Sequence, residues 1–390
     1  MMTRAGVTTK EGSGGRPRVV DFSSHISGPL ASSLLREFGA DVVKIEPPGH
    51  GDGLRDLHRD IAGHGQYHAA LNHGARSLSI SAKSPHWPAV VAACARWADA
   101  FIVGGRPHVL RRRGLDFMEL KKIAPQLVYC AISGYGDSGP WAKLAAHGLN
   151  TDAFAGVVPV SVQGDRPVVR PGYFSAGTPL AGVFAAMGIL GALYRRSLGH
   201  PAEYVSVSLW GSAMWWNWRA MNMFANAGRN RTDYQNLGSR YAAYLTADER
   251  TLLICPTEEA FWKRFCQVVE LPAGWESKGD WSRHTCYGDD SERPVIAAAL
   301  KKQPMQHWIE AFTAADIPFA PVLTTEEAMN SEHARVNHVM RPVDAGTQQV
   351  PITVSPIRRS PSAEEEEGEP WLAPSLPGLG QHTVEILHDI

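Results

Sequence analysis

The stretch Arg18–Arg55, RVVDFSSHISGPLASSLLREFGADVVKIEPPGHGDGLR, carries the reading of the fold. Val19 to Phe22 is a short run rich in β-branched and aromatic residues, which predicts a strand. Gly28-Pro29 marks a turn, and Leu30 to Phe38 spaces its apolar residues as one face of a helix. Gly39 supplies the stop, and Val42 to Glu46 reads as a second strand with a charged end. Strand, helix and strand in close succession make the repeating unit of a parallel sheet, because parallel neighbours need a crossover between them.

The same alternation continues outward. Ser77 to Ser81, Phe101 to Val103 and Leu127 to Ser133 read as further strands, with a helix from about Pro88 to Trp97. The strand ending at Ser133 runs into the turn Gly134-Tyr135-Gly136. Leu180 to Arg196 is apolar nearly all round, as a buried helix is. Val205 to Leu209 alternates like a strand, and Trp210 to Met223 looks helical. The polar, basic residues from Asn226 to Asn236 read as a crossing linker. Ser239 to Cys255 reads as a hairpin turning at Thr246 to Glu249, with helices to about Ala315. The acidic run Glu364 to Glu367 reads as a solvated loop, and the end of the chain as a loop entering a short helix. The expected organisation is a disordered lead over 1–17 and a large α/β lobe over 18–220. A small lobe with its linker follows over 221–330, and 331–390 returns to the large lobe.

Composition narrows the function classes. Hydrophobic residues at 44% and charged residues at 20% suit an ordinary globular protein. Thirty-nine acids against 38 bases leave no global field for nucleic acid or an anionic membrane, so an anionic ligand needs a local basic cluster. Five scattered cysteines without CxxC spacing argue against a disulfide framework or a zinc site and for a reducing, cytoplasmic setting. The histidines show no metal-ligand spacing, so no metal is expected. No apolar run is expected to reach the ~18 residues that cross a bilayer, and the N-terminus lacks the apolar core of a signal peptide.

Beyond the opening stretch come Asn72-His-Gly-Ala-Arg-Ser-Leu, Arg106-Pro107 with Arg112-Arg113-Gly-Leu, and Ile132-Ser-Gly-Tyr-Gly-Asp-Ser-Gly-Pro140. Ala185-Ala-Met-Gly-Ile-Leu-Gly-Ala-Leu193, Ile317-Pro-Phe-Ala-Pro-Val322 and Gly380-Gln-His-Thr383 follow in order. In sequence and spacing these motifs resemble the family III CoA-transferases, a group that includes carnitine and formyl-CoA transferases and 2-methylacyl-CoA racemases. The resemblance implies a Rossmann-like large lobe, a smaller α+β lobe and two chains interlaced as rings, either a homodimer or a heterodimer of homologous chains. It implies acyl-CoA and free carboxylic acids as substrates, with coenzyme A carried as the thioester.

Coenzyme A brings a diphosphate and a 3′-phosphate, which call for clustered cations and backbone N–H groups. Arg76, Arg106 and Arg112 stand at family-matched positions, with Gly134, Tyr135 and Gly136 as the accompanying loop. Two departures are visible. Ala75 replaces the family's lysine, and Gly104-Gly105 replaces an Asn-aromatic pair.

The transferases of this family use one aspartate as nucleophile. Its carboxylate attacks the thioester to give a mixed anhydride and free CoA thiolate, which returns to give an enzyme acyl-thioester. The matching position here is Thr178, in Phe174-Ser-Ala-Gly-Thr-Pro-Leu, so this chain lacks that carboxylate. Asp152 lies in the region and reads as a helix-start residue. The racemase branch adds a histidine and a glutamate, matched by His147 in Ala-His-Gly-Leu-Asn150 and by Glu258. A histidine oriented by a carboxylate suits removal of the proton α to a thioester. The resulting enolate would be held by N–H groups near Gly134 to Gly136 or at the start of the Gly182 helix. Three readings follow: CoA transfer with a partner-supplied aspartate, α-proton transfer by His147 and Glu258, or a non-catalytic CoA-binding subunit.

Overall fold

The computed structural model describes residues 15–58, 64–228, 237–357 and 374–390. The first part of the polar lead, residues 229–236 of the expected linker and the acidic run at Glu364 to Glu367 lie outside the described residues. The chain forms two units, 1–221 with 338–390, and 222–337.

The first unit opens with β1 (Arg18–Phe22), α1 (Ser27–Glu37), β2 (Asp41–Glu46), α2 (Gln66–Asn72), β3 (Arg76–Ser79), α3 (Trp87–Trp97) and β4 (Ala100–Gly104). Next come α4 (Pro107–Arg112), α5 (Phe117–Ile123), β5 (Val128–Ser133), α6 (Gly148–Phe154), β6 (Val160–Gln163) and β7 (Arg166–Val169). It continues with α7 (Gly177–Ser197), β8 (Tyr204–Ser208) and α8 (Leu209–Trp216). Six strands pair in parallel in the order β3-β2-β1-β4-β5-β8. The order reverses between β1 and β4. A crevice outside the carboxyl ends of strands at such a reversal is where open α/β sheets bind ligands.

Strand alternation explains why both faces are covered. Val20, Val43, Leu78, Phe101 and Tyr129 pack with Val91, Cys94 and Ala95 of α3. Their neighbours Val19, Val42, Ala100, Ile102 and Val128 pack with Ala31 and Leu35 of α1 and Ala181, Ala185 and Ile189 of α7. The Cys94 and Cys130 thiols lie in these cores, and burial pushes both up to about 12, which makes them poor nucleophiles.

Two sequence expectations change. Pro29 lies inside α1 and not before it, since first-turn N–H groups lack an intrahelical acceptor and proline there forfeits nothing. The apolar stretch α7 is 21 residues, long and apolar enough by length and composition to cross a membrane, contrary to expectation. In this fold it covers the sheet. Gly182 is what lets it lie close: a Cβ there would stand 2.7 Å from the Ser27 carbonyl oxygen and 2.9 Å from Leu30 Cβ.

Residues Trp218–Ala227 form α9, separated from α8 at Asn217. The second unit holds β9 (Ala242–Leu245), β10 (Thr251–Ile254), α10 (Glu259–Val268), α11 (Arg293–Leu300), α12 (Met305–Ala314) and β11 (Phe319–Pro321), then α13 (Thr325–Asn330) and α14 (Glu332–Val336). Its three strands are antiparallel in the order β11-β10-β9, over a core including Leu252, Trp262, Phe265 and Phe312. The returning segment adds the hairpin β12 (Met340–Asp344) and β13 (Gln349–Thr353) and the terminal helix α15 (Thr383–Asp389).

Candidate active site

Three chain segments converge beyond the carboxyl end of β5. The Gly134-Tyr135-Gly136 turn meets the start of α6, because Gly134 packs directly on Ala146 where no side chain would fit. Asn150 then joins the two. Its Oδ1 accepts the His147 N–H at 2.6 Å, and its Nδ2 donates to the Tyr135 hydroxyl at 2.6 Å. Tyr135 is itself seated edge-on against Trp141, with ring centroids 5.1 Å apart. Thus His147, Gly134 and Tyr135, distant in sequence, are brought together in one arrangement.

The third segment is the start of α7. Gly148 faces the Ser175 and Thr178 hydroxyls so closely that a Cβ there would lie 2.5 Å from Ser175 Oγ and closer still to Thr178 Oγ1. These two hydroxyls hydrogen-bond each other at 2.9 Å, and Ser27 Oγ donates to the Thr178 carbonyl at 2.8 Å. The position matched to the family's nucleophile therefore sits one residue from His147 in this arrangement, and it presents a hydroxyl.

A carboxylate is nevertheless present. Asp152 is fully buried and accepts from Ala176 N at 2.7 Å, Gly177 N at 3.1 Å and Tyr173 Oη at 2.8 Å. It was expected at a helix start. It lies inside α6, and the helix whose start it caps is α7, a pairing that only the tertiary contact creates. Three donors and complete burial occupy it structurally.

Of the expected enolate donors, Gly136 and those at the start of α7 are likewise engaged. Gly136 N–H donates to Ser133 Oγ at 3.0 Å, and Thr178 N–H donates to Ser175 Oγ at 3.2 Å. With Ala176 and Gly177 capped by Asp152, the first N–H groups of α7 are used inside the protein.

His147 is exposed and, with Leu149, Asn150, Ala153, Val158, Val160 and Val169, lines a mainly apolar cleft of about 570 Å³. The β6–β7 hairpin that forms one wall escaped the sequence reading, because its residues are nearly all exposed and carry no core alternation. Glu258 belongs to the second unit, where it precedes α10 and accepts from Thr257 Oγ1 at 3.1 Å.

Among the arginines, Arg106 stands half-buried just before α4 and Arg112 ends that helix in the open. His108 lies between them. Loss of solvent, then the charges of Arg106, Arg112 and Lys143, hold it below the usual histidine range. Lys143 adds a cation to the cluster, and His108 an imidazole. Lys143 was not legible in sequence, since it lies more than thirty residues downstream.

Arg76 is differently placed. It pairs with Asp41 at 2.7 Å, Glu385 at 3.0 Å and Asp389 at 2.5 Å, tying β3 to β2 and α15. Burial opposes its charge, but the bonds to Asp389 and Asp41 outweigh that and raise its pKa. A phosphate there would have to displace a carboxylate. Among the described residues, no group of three His, Cys, Asp or Glu side chains is arranged to hold a metal ion.

The profile of the family described as CoA-transferase family III matches residues 17–383. The chain is 27% identical over 357 residues to the acetyl-CoA:oxalate CoA-transferase of Acetobacter aceti, covering 91% of each chain. It is 26% and 24% identical to the alpha and beta subunits of the succinyl-CoA–L-malate CoA-transferase of Chloroflexus aurantiacus, covering 96% of this chain and 87% and 92% of theirs. Among solved structures it is similar to a CAIB/BAIF family protein from Brucella suis, with TM-score 0.76 and 22% identity over 96% of this chain and 98% of that one. The chain belongs to CoA-transferase family III and is an enzyme of that family.

Proposed function

We propose that this chain moves coenzyme A between carboxylic acids and that the nucleophilic carboxylate comes from a homologous partner chain. The single observation that carries this reading is the α7 start, where Thr178 and Ser175 offer only hydroxyls and Asp152 is spent on capping. A partner supplying the carboxylate is consistent with relatives that are themselves alpha and beta subunits. Arg106, Arg112, Lys143 and His108 are the proposed phosphate contacts, with the Gly134–Gly136 turn beside them in the same unit. Arg76 is assigned a structural role. The exposed aromatics Trp215, Trp216 and Trp218 make an apolar surface suited to burial between chains.

The test is CoA exchange between an acyl-CoA and a labelled free acid, followed by chromatography. The purified chain alone is expected to be inert. Co-expression with a homologue bearing aspartate at the position of Thr178 is expected to restore exchange, as is Thr178→Asp in this chain, to at least a hundredfold over background. Robust exchange by the unmodified chain alone would remove the need for a partner.

A second reading has one observation in its favour: His147 lines an apolar cleft, where its imidazole can meet the α-carbon of an acyl thioester. In D2O this reading expects α-deuterium incorporation that disappears in His147→Ala. Absence of exchange with any acyl-CoA dismisses it.

A further inference from the structure

Away from the α6–α7 site, a second cavity of about 220 Å³ is lined by His50, Arg55, Asp56, His64, His68 and Leu379. Nothing in the CoA-transfer reading uses it. His68, on α2, is 1% exposed, and among the described residues neither of its ring nitrogens has a hydrogen-bond partner. The strong charges around it are satisfied among themselves. Arg55 donates to both Glu46 oxygens at 2.8 and 2.7 Å and to the Pro377 carbonyl at 3.0 Å. Lys44 pairs with Asp52 at 3.1 Å and with Asp21 at 3.4 Å.

Burial first, then the charge of Arg55, hold His68 at about 4, so the ring is neutral near pH 7. A neutral imidazole carries one N–H donor and one lone-pair acceptor. Both are left unmet at the wall of a polar cavity, a state that native interiors rarely tolerate without a ligand or water. The complement of such a ring is a group that can both donate and accept and brings no charge to the ring itself. A hydroxyl has these properties.

We propose that this cavity recognises the hydroxyl group of a short hydroxylated carboxylic acid or acyl chain, with His68 as the specificity-determining residue. The inference rests on the reading of the chain as an enzyme of carboxylic acids and their CoA esters. A site built around an orphaned donor and acceptor rejects the analogue that lacks the hydroxyl, because the buried groups then stay unpaired.

The experiment uses the full chain with 13C,15N-labelled histidine and two matched pairs of acids, malate with succinate and 3-hydroxybutyrate with butyrate. The hydroxylated member is expected to shift the His68 resonances and to bind at least tenfold more tightly. That preference is expected to vanish in His68→Phe and to survive in part in His68→Gln, which keeps a donor and an acceptor. Thermal melts confirm that the variants fold, and if His68→Phe does not, the wild-type resonances and His68→Gln decide. Equal affinities within each pair, unmoved His68 resonances (a water-filled cavity) or a preference intact in His68→Phe would each overturn the proposal. A hydroxyl preference with no CoA exchange, even in Thr178→Asp or alongside an aspartate-bearing homologue, would sink the transfer reading alone. Exchange without the preference would sink this one alone.

Discussion

Thr178 and Asp152 show how little a residue's type says until its partners are known. Both stand at the α7 start, one where the proposed transfer needs a carboxylate and the other already supplying one to backbone N–H groups. Replacing Asp152 by alanine would leave the Ala176 and Gly177 N–H groups short of an acceptor. The expected loss is about 2–3 kcal/mol of stability, read as a lowered urea midpoint, with Asp152→Asn losing about 1 kcal/mol because one oxygen remains. An Asp152→Ala protein as stable as the parent would show that the carboxylate is not a cap. Motif spacing singled out Thr178 and His147 as candidates. It left the role of Asp152 open, because its acceptor work is done 24 residues away. Arg76 makes the same point, since its partner Glu385 lies 309 residues along the chain.

Among the elements, the strands and helices of the first unit were the most legible. Their apolar periods of two and of 3.6 are local, and burial on both sheet faces enforces them. The β6–β7 hairpin was not, because an exposed hairpin needs no such period. How closely α7 lies on α1 is decided by a missing side chain at Gly182. In Gly182→Ala the new methyl would press on the Ser27 carbonyl, backbone that cannot rotate away. A destabilisation of about 1–3 kcal/mol is expected, from overpacking that outweighs the gain in helix propensity. The control is Gly191→Ala on the same helix, where a Cβ meets nothing within 4 Å and stability is expected to rise slightly. Equal effects at the two positions would refute the close-approach argument.

For the whole molecule, acid is the expected weakness. His73 is held to about 3, by burial first and then by Arg36, whose guanidinium donates to its Nε2 at 3.0 Å. His68 is held to about 4, and Glu46 to about 2, where burial is outweighed by the hydrogen bonds and charge of Arg55. In all three the unfolded chain takes up protons at a higher pH than the folded one. Stability is therefore full above about pH 6.5 and falls as pH drops, first through the two histidines and below about 4.5 through Glu46 as well. Each group contributes up to about 1.4 kcal/mol per pH unit within its window. Urea titrations at pH 7, 5.5 and 4 are expected to show this decline, and His73→Phe is expected to flatten it. A midpoint unchanged from pH 7 to 4 would contradict the buried neutral histidines. What the sequence by itself determined is the alternation of strands and helices and the family, because periodicity and motif spacing are properties of neighbouring residues. The tertiary structure alone decided that Asp152 caps a helix it does not belong to, that Lys143 joins the arginine cluster, and that His68 is buried with no hydrogen-bond partner among the described residues. Those outcomes depend on which distant groups the folded chain brings within hydrogen-bonding distance, and no local pattern encodes them.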